Sequence, residues 1–200
     1  NSLPQKFKRG YIQSWNLTLQ KELRHGFTAQ AGYVATRSIS TMGPLDLNAG
    51  QIPGRGNAGR PLYEKFGRTT TSQMITPIGT NMYDSLQSRL ERRFSQGLQL
   101  GASYTWSKVI GWSQDSGSPT VQALQYFGLN RRVLGFDRTH NLQITGMWDL
   151  PFGEGKRFAA TNRTASAVLG GWRINTLASF MSGTPFSVGT AGTSLDMPGS

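Results

Sequence analysis

Three stretches of the sequence alternate apolar and polar residues with a period of two, and this periodicity restricts the possible folds more than any other feature. In the first stretch, residues 11–23, Trp15 and Leu17 share one parity, whereas Asn16 and Thr18 share the other. A helix would repeat its apolar residues every three or four positions, so the alternation indicates β-strands with one apolar and one polar face.

Each stretch predicts a hairpin, because a turn is followed by a second alternating segment. The predicted hairpins span about residues 11–37, 82–107 and 138–182, and together they contain six strands. Between them lie two long segments rich in glycine and proline, about 38–81 and 108–137, which predict loops. Shorter and longer connections therefore alternate, which places both long loops at one end of an antiparallel sheet.

Residues 84–94 also fit a second interpretation, because Leu86, Leu90 and Phe94 fall at helical spacing. The segment that follows, residues 98–106, alternates strictly and fits only a strand. A tight turn ending in glycine joins the two segments, and two segments joined in this way indicate a hairpin. The strand interpretation is therefore favoured.

The apolar face of the sheet needs a cover, and the composition argues against a second protein layer. Hydrophobic residues make up 36% of the 200 residues and charged residues 16%, while aromatic residues reach 10%. No helix or further apolar strand is apparent that would cover the sheet in a soluble fold. Lipid can cover it instead, since strands of about 9–11 residues with short turns at one end and long loops at the other are typical of outer-membrane barrels. The predicted fold is all-β, an antiparallel transmembrane β-barrel segment.

Aromatic side chains gather near both ends of the predicted strands, as the interfacial girdles of a membrane barrel do. The predicted lipid-interface aromatics are Tyr11, Trp15, Phe27, Tyr33, Phe94, Tyr104, Trp106, Trp148, Phe152, Trp172 and Phe180. The alternative interpretation is that these residues form the core of a soluble β-sandwich.

The six predicted strands are too few to close a barrel, because membrane barrels start at about eight strands. We therefore expect residues 1–200 to be a partial barrel domain, an internal piece without a plug domain or signal peptide. Either neighbouring sequence completes the barrel, or the long loops contain further strands, for which residues 61–75 are the best candidate. The expected location is the bacterial outer membrane, with its lipid as one partner.

The absence of cysteine from these residues excludes disulfides, thiolate metal sites and cysteine nucleophiles within them.

The net charge of +11 raises the question of nucleic-acid binding. The basic residues are dispersed along most of the chain instead of forming one patch, so no nucleic-acid partner is expected. Parity places Arg89, Arg93 and Arg173 on the polar face, where they would line the barrel interior. Arg92 has the parity of the apolar face and lies near a turn, where its side chain could extend to lipid headgroups.

Asp137, Arg138 and His140 form a possible polar cluster at the base of the second predicted loop, where the chain returns to the sheet. They could form a polar lock at the barrel mouth or help to coordinate a ligand. Simple solvation of a strand end explains the same residues equally well.

No motif supports catalysis or a cofactor. Residues 54–59 spell GxGxxG, but prolines flank them and no strand precedes them, so a flexible loop explains them better than a dinucleotide site. His25 and His140 are the only histidines, and neither has a second ligand at metal spacing. No serine lies in a nucleophile-elbow sequence. We expect no enzyme, no cofactor and no bound metal.

Several short motifs follow one another over most of the chain: YDSLQSRLERRF at 83–94, GASYTWSK at 101–108, DRTHNL at 137–142, LPFG at 150–153, GGW at 170–172 and SGTPF at 182–186. In this order and spacing they resemble the barrel of TonB-dependent outer-membrane receptors of the Oar-like type. The resemblance implies a barrel of about 22 strands that is filled by a plug domain and energised by a TonB-type protein. It also implies that the two long loops, about 38–81 and 108–137, take part in recognition.

Three hypotheses follow. The first is a barrel-wall segment of a TonB-dependent receptor for energised uptake of a scarce solute, in which plug and TonB-type partner act through parts of the protein outside these residues. The second is an outer-membrane porin or adhesin without a plug. The third is a soluble β-sandwich that binds carbohydrate or nucleic acid.

Overall fold

A single antiparallel sheet of seven strands dominates the computed structural model, which describes residues 3–4, 6, 8–112, 119–153, 156, 158 and 163–188. The strands are β1 (Tyr11–Glu22), β2 (Phe27–Asp46), β3 (Gln73–Ser95), β4 (Leu98–Gly111), β5 (Arg132–Val133), β6 (His140–Asp149) and β7 (Arg173–Met181). Two short α-helices are α1 (Tyr63–Phe66) and α2 (Arg163–Leu169), and 3-10 turns cover Arg24–Gly26, Gly56–Gly59 and Leu124–Asn130. Neither α-helix is long and apolar enough to cross a bilayer among the residues described.

The six long strands form a meander in which each pairs with the next along the chain, in the order β1-β2-β3-β4-β6-β7. This confirms the predicted all-β antiparallel architecture, and it confirms the strand interpretation of residues 84–94, which lie within β3. The seventh strand, β5, was not predicted, because its two residues are too few to show a period. It pairs with the end of β4 beyond the point where β6 begins.

Tight turns connect neighbouring strands at one end of the sheet. Between β1 and β2, both His25 and Gly26 have positive φ, and between β3 and β4 the same holds for Gln96 and Gly97. Two successive residues of positive φ match the right-handed twist of the strands that they join, which explains why these connections are so short. The third connection at this end, residues 150–172, is much longer.

Cross-strand register keeps the two faces of the sheet distinct. On one face, Leu17 lies opposite Tyr33, Tyr33 opposite Leu86, and Leu86 opposite Trp106. A one-residue slip of any strand would move all of its apolar side chains to the other face, so the alternation in the sequence fixes this register.

The polar face is built by the same register from the intervening residues. One row runs from Gln20 through Gln30, Arg89 and Ser103 to Gln143 on β6. Amide and hydroxyl groups therefore dominate this face, with few formal charges. Such a surface suits the water-filled interior of a barrel.

Strands β2 and β3 are longer than the sequence predicted, at 20 and 23 residues, and both extend into the segment predicted as a loop. The extensions pair with each other, with Pro44 opposite Ile75 and Pro77 opposite Met42. In the sequence, these prolines indicate a loop. They are tolerated because the pairing of β2 with β1 stops at Ile39 and the pairing of β3 with β4 stops at Asn81. Beyond these residues each strand has a free edge, where a proline without an N–H group breaks no ladder hydrogen bond.

The actual first loop is therefore residues 47–72, and the second loop is residues 112–139 with β5 inside it. The buried hydrophobic side chains of the described residues are Ala35, Leu45, Ala49, Ala123 and Leu134. Four of these five lie in the loops or in the extension of β2, so the packed interior sits above the sheet and not on either of its faces. In the part of the chain that the structure describes, β1 and β7 are the two edges of an open sheet.

Candidate functional site

Asn48 organises the first loop from a fully buried position. Its side-chain nitrogen donates to the carbonyl oxygens of Arg68 at 3.0 Å and Thr70 at 2.8 Å, and its side-chain oxygen accepts the amide of Leu62 at 2.9 Å. The guanidinium of Arg60 reaches the Asn48 carbonyl at 2.9 Å. Because every polar group of this asparagine side chain is satisfied, the loop is held in one conformation despite its glycine and proline content.

Asn130 plays the same part in the second loop, where it is 3% exposed. Its side chain bonds to both the amide and the carbonyl of Val121, at 2.8 and 2.7 Å, and also to the carbonyl of Phe127 at 3.0 Å. The ring of Phe127 meets the ring of Trp112 edge to face, with centroids 4.9 Å apart. Side-chain amides therefore replace the missing backbone ladder in both loops.

Three hydrogen bonds join the two loops to each other. The amide of Asp46 donates to the side-chain oxygen of Gln122 at 3.0 Å, and the amide of Leu124 donates to the side-chain oxygen of Gln51 at 3.0 Å. The side chain of Gln125 also donates to the Gln51 carbonyl. We call residues 47–72 and 112–139, so far as the structure describes them, together with Asp46 at the end of β2, the joined loops.

Asp137 anchors the second loop to the sheet. This residue is only 1% exposed, and its carboxylate accepts the amide of Val109 at 2.7 Å, the hydroxyl of Thr139 at 2.9 Å and the ammonium of Lys108 at 3.2 Å. Burial by itself would raise the pKa of Asp137, but the three donors together hold that pKa below the ordinary value. The aspartate is therefore ionised at neutral pH and fixes the end of β4.

The other two residues of the predicted loop-base cluster lie on its opposite side, against the end of β7. The guanidinium of Arg138 donates to the Ser182 carbonyl at 2.9 Å, and the amide of His140 donates to the Ser182 hydroxyl at 3.1 Å. The ring of His140 shares a 2.7 Å hydrogen bond with the hydroxyl of Tyr104. The three predicted residues thus all lie at the loop base, but they form two separate groups, Asp137 against β4 and the other two against the end of β7. A role in ligand binding stays a prediction.

The family model described as "Outer membrane beta barrel domain" matches residues 1–200, the whole chain. This chain belongs to the outer membrane beta barrel domain family. Neither the curated proteins nor the solved structures gave a match. The chain is therefore a segment of barrel wall in the bacterial outer membrane. In such barrels the long loops are extracellular, the short turns are periplasmic, and the apolar face of the strands meets lipid.

The outer-membrane barrel needs aromatic side chains at its two lipid interfaces, and the structure exposes ten of the eleven that were predicted. The exception is Phe27, which is half-buried. The guanidinium of Arg92 lies 5.6 Å from the centre of the Phe27 ring, and its Nε donates to the carbonyl of His25 in the turn at 3.4 Å. The side chain of Arg92 thus reaches toward the periplasmic turn, and its contact with lipid headgroups stays a prediction.

Two of the three arginines predicted to line the barrel interior are paired on the polar face. Arg173 contacts Asp149 through two hydrogen bonds, of 2.5 and 3.3 Å, and Arg89 contacts Glu91. The third, Arg93, is exposed next to the irregular register at the end of β3. That these three arginines line the interior of the closed barrel stays a prediction.

Sequence reasoning missed a charged pair on the lipid-facing side of the barrel. The guanidinium of Arg37 contacts the carboxylate of Asp84 at 2.8 Å and lies 5.3 Å from the centre of the Trp15 ring. The hydroxyl of Tyr33 donates to the same carboxylate at 2.5 Å. A signal was present, because Arg37 and Asp84 carry opposite charges at apolar-face parity on neighbouring strands.

Large apolar side chains remain exposed on the joined loops. They are Leu47, Ile52, Tyr63, Phe66, Leu124, Tyr126, Leu129 and Phe136.

The GxGxxG segment lies in a turn and a 3-10 helix of the first loop, so it lacks the strand and helix that a dinucleotide site requires. Within the described ranges, no three His, Cys, Asp or Glu residues come together to hold a metal ion.

Proposed function

We propose that this chain is a non-enzymatic part of the barrel wall of a TonB-dependent receptor, which takes up a scarce solute with energy from an inner-membrane partner. The order of short motifs from residue 83 to residue 186 supports this proposal by its resemblance to such receptors. The observation that carries it furthest is the union of two extracellular loops into one hydrogen-bonded unit.

A receptor must bind its solute from dilute solution, and a rigid surface binds with higher affinity than mobile loops that make the same contacts. Binding to a mobile loop loses about 0.5–1.5 kcal/mol for each side chain that becomes ordered, whereas a preformed surface has already lost that freedom. Asn48, Asn130 and the bonds between the loops provide such order in advance. The apolar side chains exposed on the joined loops would supply contact area to a solute.

Electrical recording on the full-length protein separates this proposal from a passive porin. A barrel filled by a plug should show no steady conductance in a planar bilayer in potassium chloride, and it should open only when urea releases the plug. A porin without a plug would instead show steady channels without urea. That second result would contradict the proposal.

Uptake in cells provides the second test. A panel of iron chelates, cobalamin and oligosaccharides should include at least one solute whose accumulation requires both the protein and the energising partner. The double variant Phe66→Ser, Leu129→Ser should lower that uptake at limiting solute concentration, because the two native side chains are 73% and 69% exposed on the joined loops. Glu64→Gln, beside the same surface, is the matched control. Cell adhesion that depends on the protein, with no energised uptake of any panel member, would favour an adhesin.

A further inference from the structure

The periplasmic connection between β6 and β7, residues 150–172, is folded where the structure describes it. Phe152 and Phe158 form an isolated bridge, with their ring centres 5.7 Å apart. Gly153 has a φ of 105°, and a Cβ atom added to it would lie 2.8 Å from the Cα atom of Gly170. The two arms of the connection therefore touch, and only glycine allows so close an approach.

Trp172 fixes the end of helix α2 to the sheet. Its indole nitrogen donates to the carbonyl of Val168 at 2.7 Å, and its own carbonyl accepts the amide of Leu150 at 2.9 Å. That second bond extends the ladder between β6 and β7 by one pair. Trp172 thus has the same parity as Ile174, which lies opposite Trp148 on the lipid-facing side.

An exposed apolar patch results at this corner of the barrel wall. Val168 is 63% exposed, Trp172 62%, Phe158 54% and Leu169 52%. The patch is continuous through Trp172 with the lipid-facing side of the sheet, which the family assignment places against the membrane.

We propose that the end of helix α2 and Trp172 form an anchor that lies in the headgroup region of the periplasmic leaflet. The occupant of the patch is phospholipid. Lipid is favoured over a plug or a periplasmic protein because Trp172 points to the outside of the barrel by its strand parity, and the helix is tied to that side chain. Apolar side chains beside a tryptophan are typical of segments that lie in a membrane interface.

Single cysteines can test this anchor directly, because residues 1–200 contain none and any cysteine elsewhere in the full-length protein can be replaced with serine. Val168→Cys and Leu169→Cys place a probe on the patch. Ala167→Cys is the matched control, since at about 100° per residue it points about 100° away from Val168 and 160° away from Leu169 on the same helix, and it is also exposed. Each variant of the full-length protein would carry an environment-sensitive fluorophore in vesicles of phosphatidylethanolamine and phosphatidylglycerol.

Probes at Val168 and Leu169 should be quenched by nitroxide lipids labelled near the headgroup, and they should be at least threefold less accessible to aqueous iodide than the probe at Ala167. Equal access of iodide to all three positions would overturn the proposal. Protection from both lipid and iodide would overturn it as well, because protein would then cover the patch.

Native tryptophan fluorescence gives a second measurement that needs no label. Trp172→Phe should remove a component that brominated lipid quenches, whereas Trp112→Phe, in the extracellular second loop, should leave the lipid-quenched component unchanged. An unchanged lipid-quenched component in Trp172→Phe would contradict the anchor. Neither test depends on solute uptake, so the anchor and the proposed receptor function can fail independently.

Discussion

The amide nitrogen of Asp46 donates a 3.0 Å hydrogen bond to the side-chain oxygen of Gln122, and this bond connects two extracellular loops across 76 positions of sequence. Both residues are buried, at 7% exposure each. The nitrogen of the same Gln122 side chain donates to the Pro119 carbonyl at 2.8 Å, so one amide group holds both loops. The joined loops depend on this group because an unpaired backbone N–H is costly in a buried position.

Gln122→Ala should loosen the joined loops without disturbing the sheet. Removal of the acceptor leaves the Asp46 amide buried and unpaired, which costs about 1–3 kcal/mol. Hydrogen exchange should accelerate by roughly 5- to 150-fold in the first loop and remain unchanged in β3 and β4. Gln125→Ala, which removes an exposed bond between the same loops, is the control and should have little effect. Unchanged exchange in the Gln122 variant would refute this role.

The base of the second loop should weaken in acid because of Asp137. Its pKa is held below the ordinary value of about 3.9, so its stabilising effect is fully present above that pH and is lost as the pH falls through the lower, folded-state pKa. Proteolysis of residues 119–139 should therefore increase below about pH 4. Asp137→Asn should increase proteolysis already at pH 7 and should flatten the acid dependence. A variant with the original pH profile would exclude Asp137 as its cause.

Gly111→Ala should destabilise the junction between β4 and the second loop. A Cβ atom there would lie 2.0 Å from the side-chain oxygen of Asn81 and 3.0 Å from a methyl carbon of Leu134. Overpacking of this kind costs about 1–3 kcal/mol. Gly128→Ala is the matched control, because nothing lies within 4 Å of the corresponding position. Limited proteolysis of the folded barrel should separate the two variants, and equal resistance would show that the junction can absorb the methyl group.

The pair formed by Arg37 and Asp84 should be coupled more strongly than a pair that faces water. It lies beside Trp15 and Tyr33 on the lipid-facing side of the wall, whereas Arg89 and Glu91 are an exposed pair on the polar face. A double-mutant cycle of urea unfolding in vesicles should give above about 1 kcal/mol for the first pair and less for the second. Equal coupling energies would contradict the assignment of the first pair to a less polar environment.

The architecture of the wall could be read from the sequence because strand periodicity is a local property. The alternation around Leu17, Tyr33 and Leu86 fixed which residues share a face, and the order of short and long connections fixed the meander. The same parity placed Arg92 on the apolar side, where the structure pairs it with Phe27. A strand has only two faces, so counting by two was sufficient for these features.

Only the tertiary structure decided how the loops fold. Because of Pro44 and Pro77, the sequence did not predict the extensions of β2 and β3. These prolines fit there only because the pairing with β1 and β4 does not reach the extensions, which the sequence does not show. The contact between Asp46 and Gln122 follows no period, and neither does the division of Asp137 from Arg138 and His140 into two groups. Such contacts arise between residues distant in sequence, where side-chain amides and carboxylates satisfy backbone groups that no ladder reaches. Periodicity therefore determined the barrel wall, whereas long-range hydrogen bonding determined the surface that the wall carries.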